Sequence, residues 1–402
     1  MIMMSLAKAN GSITFHIIIM ITMEEIFTLE NLNDAFYKSS KASHWKESTH
    51  RYRSNLLINN VRLQNDLLSE KYTVSSTTDF VINERGKVRN ISAPSIRDRI
   101  VQKVLCQKVL NPILIKTFIY DNYASLPNRG TSFARKRIQI MLHNYTNLYG
   151  TEGYILQIDI KKYFDSINHS ILKTMMCKQL DKYKIDDRII KLIYYLIDTS
   201  SSNGVGLNLG AEMPQILALY YLSRIDTFVK TVQRVKFYGR YMDDMFVIHP
   251  DKEYLKSLLN MITIELNKLE LSINDKKTHI VKLSHGFTFM QIKYHIDNDT
   301  QKIIKRPTHN KIVRERHRLK KYHKKYLSGD MNFDDIQNCY ISWRNSLIKD
   351  CNCLTSIKHT DYLFNKLFNK SNIIKQGKTP LIQKEDKNTW ILSNLTTEIP
   401  TS

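Results

Sequence analysis

No stretch of this 402-residue chain is apolar for long enough to cross a bilayer. The best run, Ile13 to Thr22 (ITFHIIIMIT), stops after ten residues and lacks the basic leader and small-residue cleavage site of a secretion signal. We therefore expect no transmembrane anchor, no secretion and a cytoplasmic protein. Residues 1–22 read as an upstream, non-native or disordered extension, because charged, helix-prone sequence begins at Met23-Glu24-Glu25. The five cysteines (Cys106, Cys177, Cys339, Cys351, Cys353) are odd in number and scattered. Cys351-Asn352-Cys353 has neither a second pair nor a histidine cluster to complete a zinc site, so reduced thiols are expected. No low-complexity tract and no internal repeat is visible. With 42% hydrophobic residues, the chain can bury a core shared by two or three subdomains.

Acidic residues are in short supply. Lys and Arg number 60 against 38 Asp and Glu, giving a net charge of +22, a field that attracts polyanions. Nucleic acid is the first candidate partner and an anionic membrane surface the second. Along the chain, residues 29–68 follow a helical pattern. The stretch DFVINERGKVRNISAPSIRDRIVQKVL then reads as strand, turn at Glu84-Arg85-Gly86, strand, break at Pro94 and amphipathic helix. Lys87, Arg89, Arg97 and Arg99 on this finger suit phosphate oxygens, and a solvated basic hairpin is an equal reading of the segment alone. GYILQIDIKKYFDSINHSIL is a buried strand ending at Asp159, with Phe164-Asp165 five positions on. A glycine-punctuated loop, Gly204 to Gly210, feeds a helix over 214–230. Between residues 305 and 326, Glu315 is the sole acid in a strongly basic helix, which lies on a phosphate backbone or stays a solvated face.

The few acids are placed unusually. In RYMDDMFVIH, Asp243 and Asp244 stand side by side between two arms that favour strands. Adjacent carboxylates repel and are costly to bury, so a compensating cation is implied, although a solvated hairpin tip also tolerates Asp. Asp159 also lies at a strand end, 84 positions earlier, and an antiparallel sheet would bring the two sites together. Such hard oxygen ligands suit Mg²⁺, and two ions would clamp the attacking and leaving oxygens of an in-line phosphoryl displacement. His249, His279 and His295 are scattered and read as packed rather than ligating.

Five blocks in order resemble the motifs of reverse transcriptases: GKVRNISAPSIRDRIVQ, IDIKKYFDSI, GLNLGAEMPQILALYYL, YMDD, and LSINDKKT followed by FTFMQIKY. The resemblance runs from about residue 50 to 350. It implies an α+β right-hand polymerase fold with fingers, an antiparallel palm with helices, and a helical thumb. N-terminal helices and fingers would occupy 23–150, the palm with inserted fingers helices 151–295, and the basic thumb with a C-terminal extension 296–402. Asp159, Asp243 and Asp244 would be the catalytic metal-binding carboxylates for two Mg²⁺ ions, joined by the main-chain carbonyl of Ile160. Phe164 would be the steric gate against a ribose 2′-hydroxyl. Lys87 and Arg89 would hold the triphosphate, Lys277 would protonate pyrophosphate, and Gly210, Gln215, Tyr241 and Met242 would touch substrate.

Two departures from the family stand out: Asn208-Leu209-Gly210 replaces the common Pro-Gln-Gly, and Gln291 stands where the primer-grip block often has glycine. The implied activity is RNA-directed DNA polymerisation on an RNA template and primer with a DNA product. No RNase H, protease, integrase or zinc-finger endonuclease segment is visible, and no retron-type Val-Thr-Gly block. The chain is similar to compact group II intron-like, diversity-generating and defence-associated reverse transcriptases, which implies antiphage defence with a dedicated noncoding RNA. A non-catalytic, maturase-like RNA binder is the alternative. Replacing Phe164 by Ala is expected to relax sugar choice, read as incorporation of UTP beside dTTP; unchanged exclusion of UTP would remove the steric-gate assignment.

Overall fold

A computed structural model describes residues 3–9, 12–18, 20–41, 43–84, 87–208, 210–352 and 354–369. Arg85, Gly86, Leu209, Cys353 and the residues from 370 onward lie outside these residues, and with them the last twenty or so, which the sequence reads as loosely ordered. So do the side chains of Lys87 and Arg89. The chain divides into two compact units, Met1–Ser284 and His285–Ser402. The sequence reading put the palm–thumb boundary between 295 and 296, eleven residues beyond this division.

Among the described residues, the first unit holds three sheets. β1 (Met3–Ala9) and β2 (Ser12–Ile18) form an antiparallel hairpin, as do β3 (Thr78–Glu84) and β4 (Lys87–Ala93). The latter is the finger expected from sequence. Pro94 ends it, and the Ser95 hydroxyl caps the helix Ile96–Leu105 by accepting from the Asp98 amide. Ile21 and Thr22, which the sequence reading left in the N-terminal extension, belong to the framework. The Ile21 amide donates to Lys184 O at 2.8 Å, and Thr22 forms a capping box on the helix Met23–Ile26.

The third sheet is four-stranded and antiparallel, in the order β6 (Phe237–Tyr241), β7 (Asp244–His249), β5 (Tyr154–Ile158), β8 (His279–Lys282). Both of its faces are covered, so Met245-Phe246-Val247-Ile248 is buried without alternation. Leu156, Ile158, Tyr238, Met245 and Val247 join one core with Leu255, Leu258 and Ile262 of the helix Lys252–Asn267. Elsewhere Phe237 meets Tyr145 of the helix Thr131–Tyr149 edge-on, with ring centroids 5.6 Å apart.

The second unit pairs β9 (Phe287–Phe289), β10 (Ile292–Ile296) and β11 (Ile303–Pro307) in the order β11-β10-β9. Among the described residues, three helices follow: His309–Leu327, Phe333–Asp350 and Thr355–Phe368. Leu319, Ile336, Tyr340, Phe364 and Phe368 form their core, and Tyr340 stacks on Phe364 with centroids 4.4 Å apart. The basic run is thus strand to Pro307 and helix from His309. Helices with antiparallel sheets give the α+β class expected from sequence.

Gly239 in β6 is held by space rather than by backbone conformation. A Cβ there would lie 2.8 Å from Phe246 Cζ and closer still to the Tyr123 hydroxyl. Gly239→Ala is expected to destabilise the protein by about 1–3 kcal/mol, the usual range for an overpacked core, measured by urea denaturation.

Candidate active site

Register brings the three aspartates together. Ile158 pairs with Met245 and Tyr241 with Asp244, so Asp159, one step past the end of β5, stands beside the first residue of β7. Met242 and Asp243 form the two-residue turn from β6 to β7, with Met242 in the left-handed region at φ 54°. An unbranched side chain tolerates that conformation at a cost of about 1–2 kcal/mol, so surrounding contacts must hold it.

The segment 272–278 clamps Asp159 from the other side. The Ser272 carbonyl accepts from the Lys161 amide at 2.9 Å, and Ile160 bridges Ile273. The Asn274 amide donates to Asp159 O at 2.7 Å, and Asn274 Nδ2 to Asp159 Oδ2 at 2.9 Å. Lys277 Nζ lies 2.6 Å and 2.7 Å from the two carboxylate oxygens of Asp159. Asp244 is open to solvent on one side and crowded by protein on the others. That crowding, followed by the charges of Asp243 and Asp159, pushes its carboxyl up to about 7, with Lys277 opposing. Negative charge is therefore in local excess even with the lysine in place.

The turn is positioned by a residue that the sequence reading passed over. Arg240 in β6 is fully buried. Its Nε donates to Asp226 Oδ1 at 2.8 Å and its Nη2 to Asp226 Oδ2 at 2.5 Å. The remaining donors go to the carbonyls of Leu219, at 3.1 Å, and of Met242 itself, at 2.9 Å. Asp226, also buried, accepts from the Tyr238 hydroxyl as well. The available signal was an arginine and an aspartate, each set in an apolar run, with no exposed face to explain them.

Other expected residues are placed as follows. Phe164 lies in the short helical turn Tyr163–Ser166, half-buried, and packs edge-on against Tyr163. Its carbonyl accepts from the Leu207 amide at 2.9 Å, which ties the glycine loop to this helical turn. Gly206, at φ 101°, passes close to the backbone of Asp165. Gly210 runs along the end of the finger hairpin, where a Cβ would sit 3.4 Å from Ser92 O. Gln215 is turned to the loop before the helix Thr131–Tyr149, its Oε1 accepting from the Ser125 hydroxyl at 2.8 Å. Tyr241 and Met242 are half-buried against the core. β9 and β10, which carry the FTFMQIKY block, lie in the second unit.

A family model described as reverse transcriptase (RNA-dependent DNA polymerase) matches residues 77–322, more than half of the chain. The chain belongs to the reverse transcriptase family. It is 22% identical to protein YkfC of Escherichia coli strain K12, over 57% of this chain and 69% of that protein. It is also 26% identical to a putative COX1/OXI3 intron 1 protein of Saccharomyces cerevisiae, over 36% of this chain and 17% of that one. Solved structures similar to it include a Candida tropicalis telomerase truncated from its C-terminal domain, at TM-score 0.45 and 17% identity, covering 61% of this chain and 59% of that one. A Candida albicans telomerase in complex with a TWJ fragment of telomeric RNA is similar at TM-score 0.46 and 13% identity, covering 74% and 56%. The chain thus spans less than two thirds of those telomerase chains.

Within this reverse transcriptase, the donor set fits a hard divalent cation by its chemistry: three carboxyl groups and a main-chain carbonyl, all oxygen, in a place with surplus negative charge. Among the described residues, no three His, Cys, Asp or Glu side chains are spaced as a ready-made metal cage. The ammonium of Lys277 lies against Asp159 instead, so a cation on that carboxylate replaces a cation already present.

Removing one partner of a buried ion pair leaves the other charge without compensation. Asp226→Ala is therefore expected to cost about 3–5 kcal/mol in urea denaturation. Pairing Asp226→Ala with Arg240→Met should cost less than the two single changes added; full additivity would show that the two residues are not coupled.

Proposed function

We propose that the protein is an RNA-directed DNA polymerase that extends a primer 3′ end with deoxynucleotides. The observation that supports this most is the junction of Asp159 with Asp243-Asp244 at adjoining strand ends, beside Lys277. Asp159, Asp243, Asp244 and the Ile160 carbonyl would hold two Mg²⁺ ions, which supply charge neutralisation at the attacking and leaving oxygens. Phe164 would exclude a 2′-hydroxyl from the sugar pocket. Lys277, about half exposed in its side chain, would turn from Asp159 to the departing pyrophosphate and donate a proton there.

The excess of basic residues supports RNA as template and a dedicated noncoding RNA as partner. The antiphage setting rests on resemblance to defence-associated relatives. A maturase-like binder gains nothing from three clustered acids facing a polyanion, whereas a polymerase needs them. Among the described residues, no helix is long and apolar enough to cross a membrane.

The test is primer extension on oligo(dT)-primed poly(rA) with Mg²⁺ and either dTTP or UTP, beside the Asp243→Ala/Asp244→Ala double variant. Incorporation of dTTP but not of UTP is expected, and the variant should incorporate neither. RNA binding with no extension by the unaltered protein, even with RNA from its host, would favour the binder.

A further inference from the structure

Trp45 is 69% exposed, in the turn between the helix Leu29–Ser40 and the helix Glu47–Ser54. The core beneath does not use it. Phe36 and Tyr52 stack there at 5.7 Å, and Leu63 and Leu67 of the helix Leu56–Leu68 complete the packing. The turn is nevertheless held firmly. Arg99, from the helix after the finger hairpin, donates to Ser39 O at 3.3 Å and to the Ser43 hydroxyl at 3.0 Å.

Around the indole the charge is one-sided. Lys41, Lys46, Arg51, Arg53 and Arg62 are all exposed, against the single acid Glu47 in residues 41–62. Lys46 Nζ lies 5.6 Å from the Trp45 ring, and Glu47 is taken up by Arg51 at 2.7 Å. Next along the chain is an open cavity of about 450 Å³ lined by Glu47, Ser48, Arg51, Tyr52, Asn55 and Asn59. There the Arg51 guanidinium is held by Glu47 and the Tyr52 hydroxyl donates to Asn60, while Ser48 and Asn55 present a hydroxyl and an amide of the kind that meets a base edge or a ribose 2′-hydroxyl.

We propose that residues 41–62 form a docking surface for an unpaired RNA segment, outside the aspartate site, with Trp45 as a stacking platform and the surrounding cations on the phosphates. An exposed indole offers a face to any splayed-out base, and a duplex keeps its bases stacked inside. Leu57 and Ile58 are also exposed on the third helix, which makes a lipid surface the competing occupant. The charge surplus and the polar cavity favour RNA. The choice of RNA over DNA rests on the polymerase reading, in which RNA is the strand that arrives unpaired.

The experiment uses the full chain, with a blunt RNA–DNA hybrid present to occupy the polymerase cleft. Binding of fluorescein-labelled rU20 is followed by anisotropy at fixed salt for the unaltered protein, Trp45→Ala, Trp45→Phe and Lys46→Ala/Arg53→Ala. Loss of one stacked base should weaken binding by Trp45→Ala about 5- to 100-fold, with Trp45→Phe retaining most of the affinity. Primer extension should be unchanged in all variants, and circular dichroism should show that each is folded. Unchanged rU20 affinity in both Trp45→Ala and the double variant would overturn the proposal. So would dT20 held as tightly as rU20, or Trp45-dependent binding to phosphatidylserine vesicles without RNA binding. If extension fails in the unaltered protein while the Trp45 dependence stands, the polymerase reading falls and the docking surface survives.

Discussion

The buried pair of Arg240 and Asp226 is the constraint on which the aspartate site depends. Neither charge reaches water, so each is tolerable only while the other is in place and every remaining donor has an acceptor. The guanidinium meets that condition by reaching the Leu219 and Met242 carbonyls, which ties the helical segment beneath the sheet to the hairpin turn. Main-chain bonds from Arg240 to Asp121 O and from Tyr123 to Arg240 O attach the loop before the helix Thr131–Tyr149 to the same strand. The left-handed turn at Met242 is thus held from below, and Asp243 is presented by a framework rather than by a free loop tip.

On that framework the chain concentrates acids against its own trend. A protein of net charge +22 attracts polyanions, yet where Asp159, Asp243 and Asp244 meet the local charge runs the other way. The raised carboxyl of Asp244 and the ammonium on Asp159 are two expressions of the same local excess. Both are relieved by a positive group.

Much of this was legible in the chain because it is local. The finger hairpin needed only alternating apolar residues around a turn and a proline to end it, and the palm strands needed only short buried runs. Asp159 and Asp243-Asp244 were visible as acids at strand ends. Asn274 was not singled out, although it sits in the same block as Lys277, since an asparagine in a loop has many ordinary reasons to be there. Arg240 was read as part of a hairpin arm. Its role depends on Asp226, Leu219 and Met242 converging in space, and no spacing in the sequence encodes that convergence. The three-stranded sheet was equally out of reach, because β10 finds its partners β9 and β11 on either side of it and only pairing in space fixes that order.

By itself the sequence determined the chemistry available: a basic, cysteine-poor chain, its family, and three acids at strand ends. Side-chain type and hydrophobic period set these things residue by residue, without reference to distant parts of the chain. Only the tertiary structure decided that β5 lies between β7 and β8, that Lys277 neutralises Asp159, and that a buried arginine carries the turn. Those facts follow from strand order, register and burial, which arise when separate segments compete for the same core.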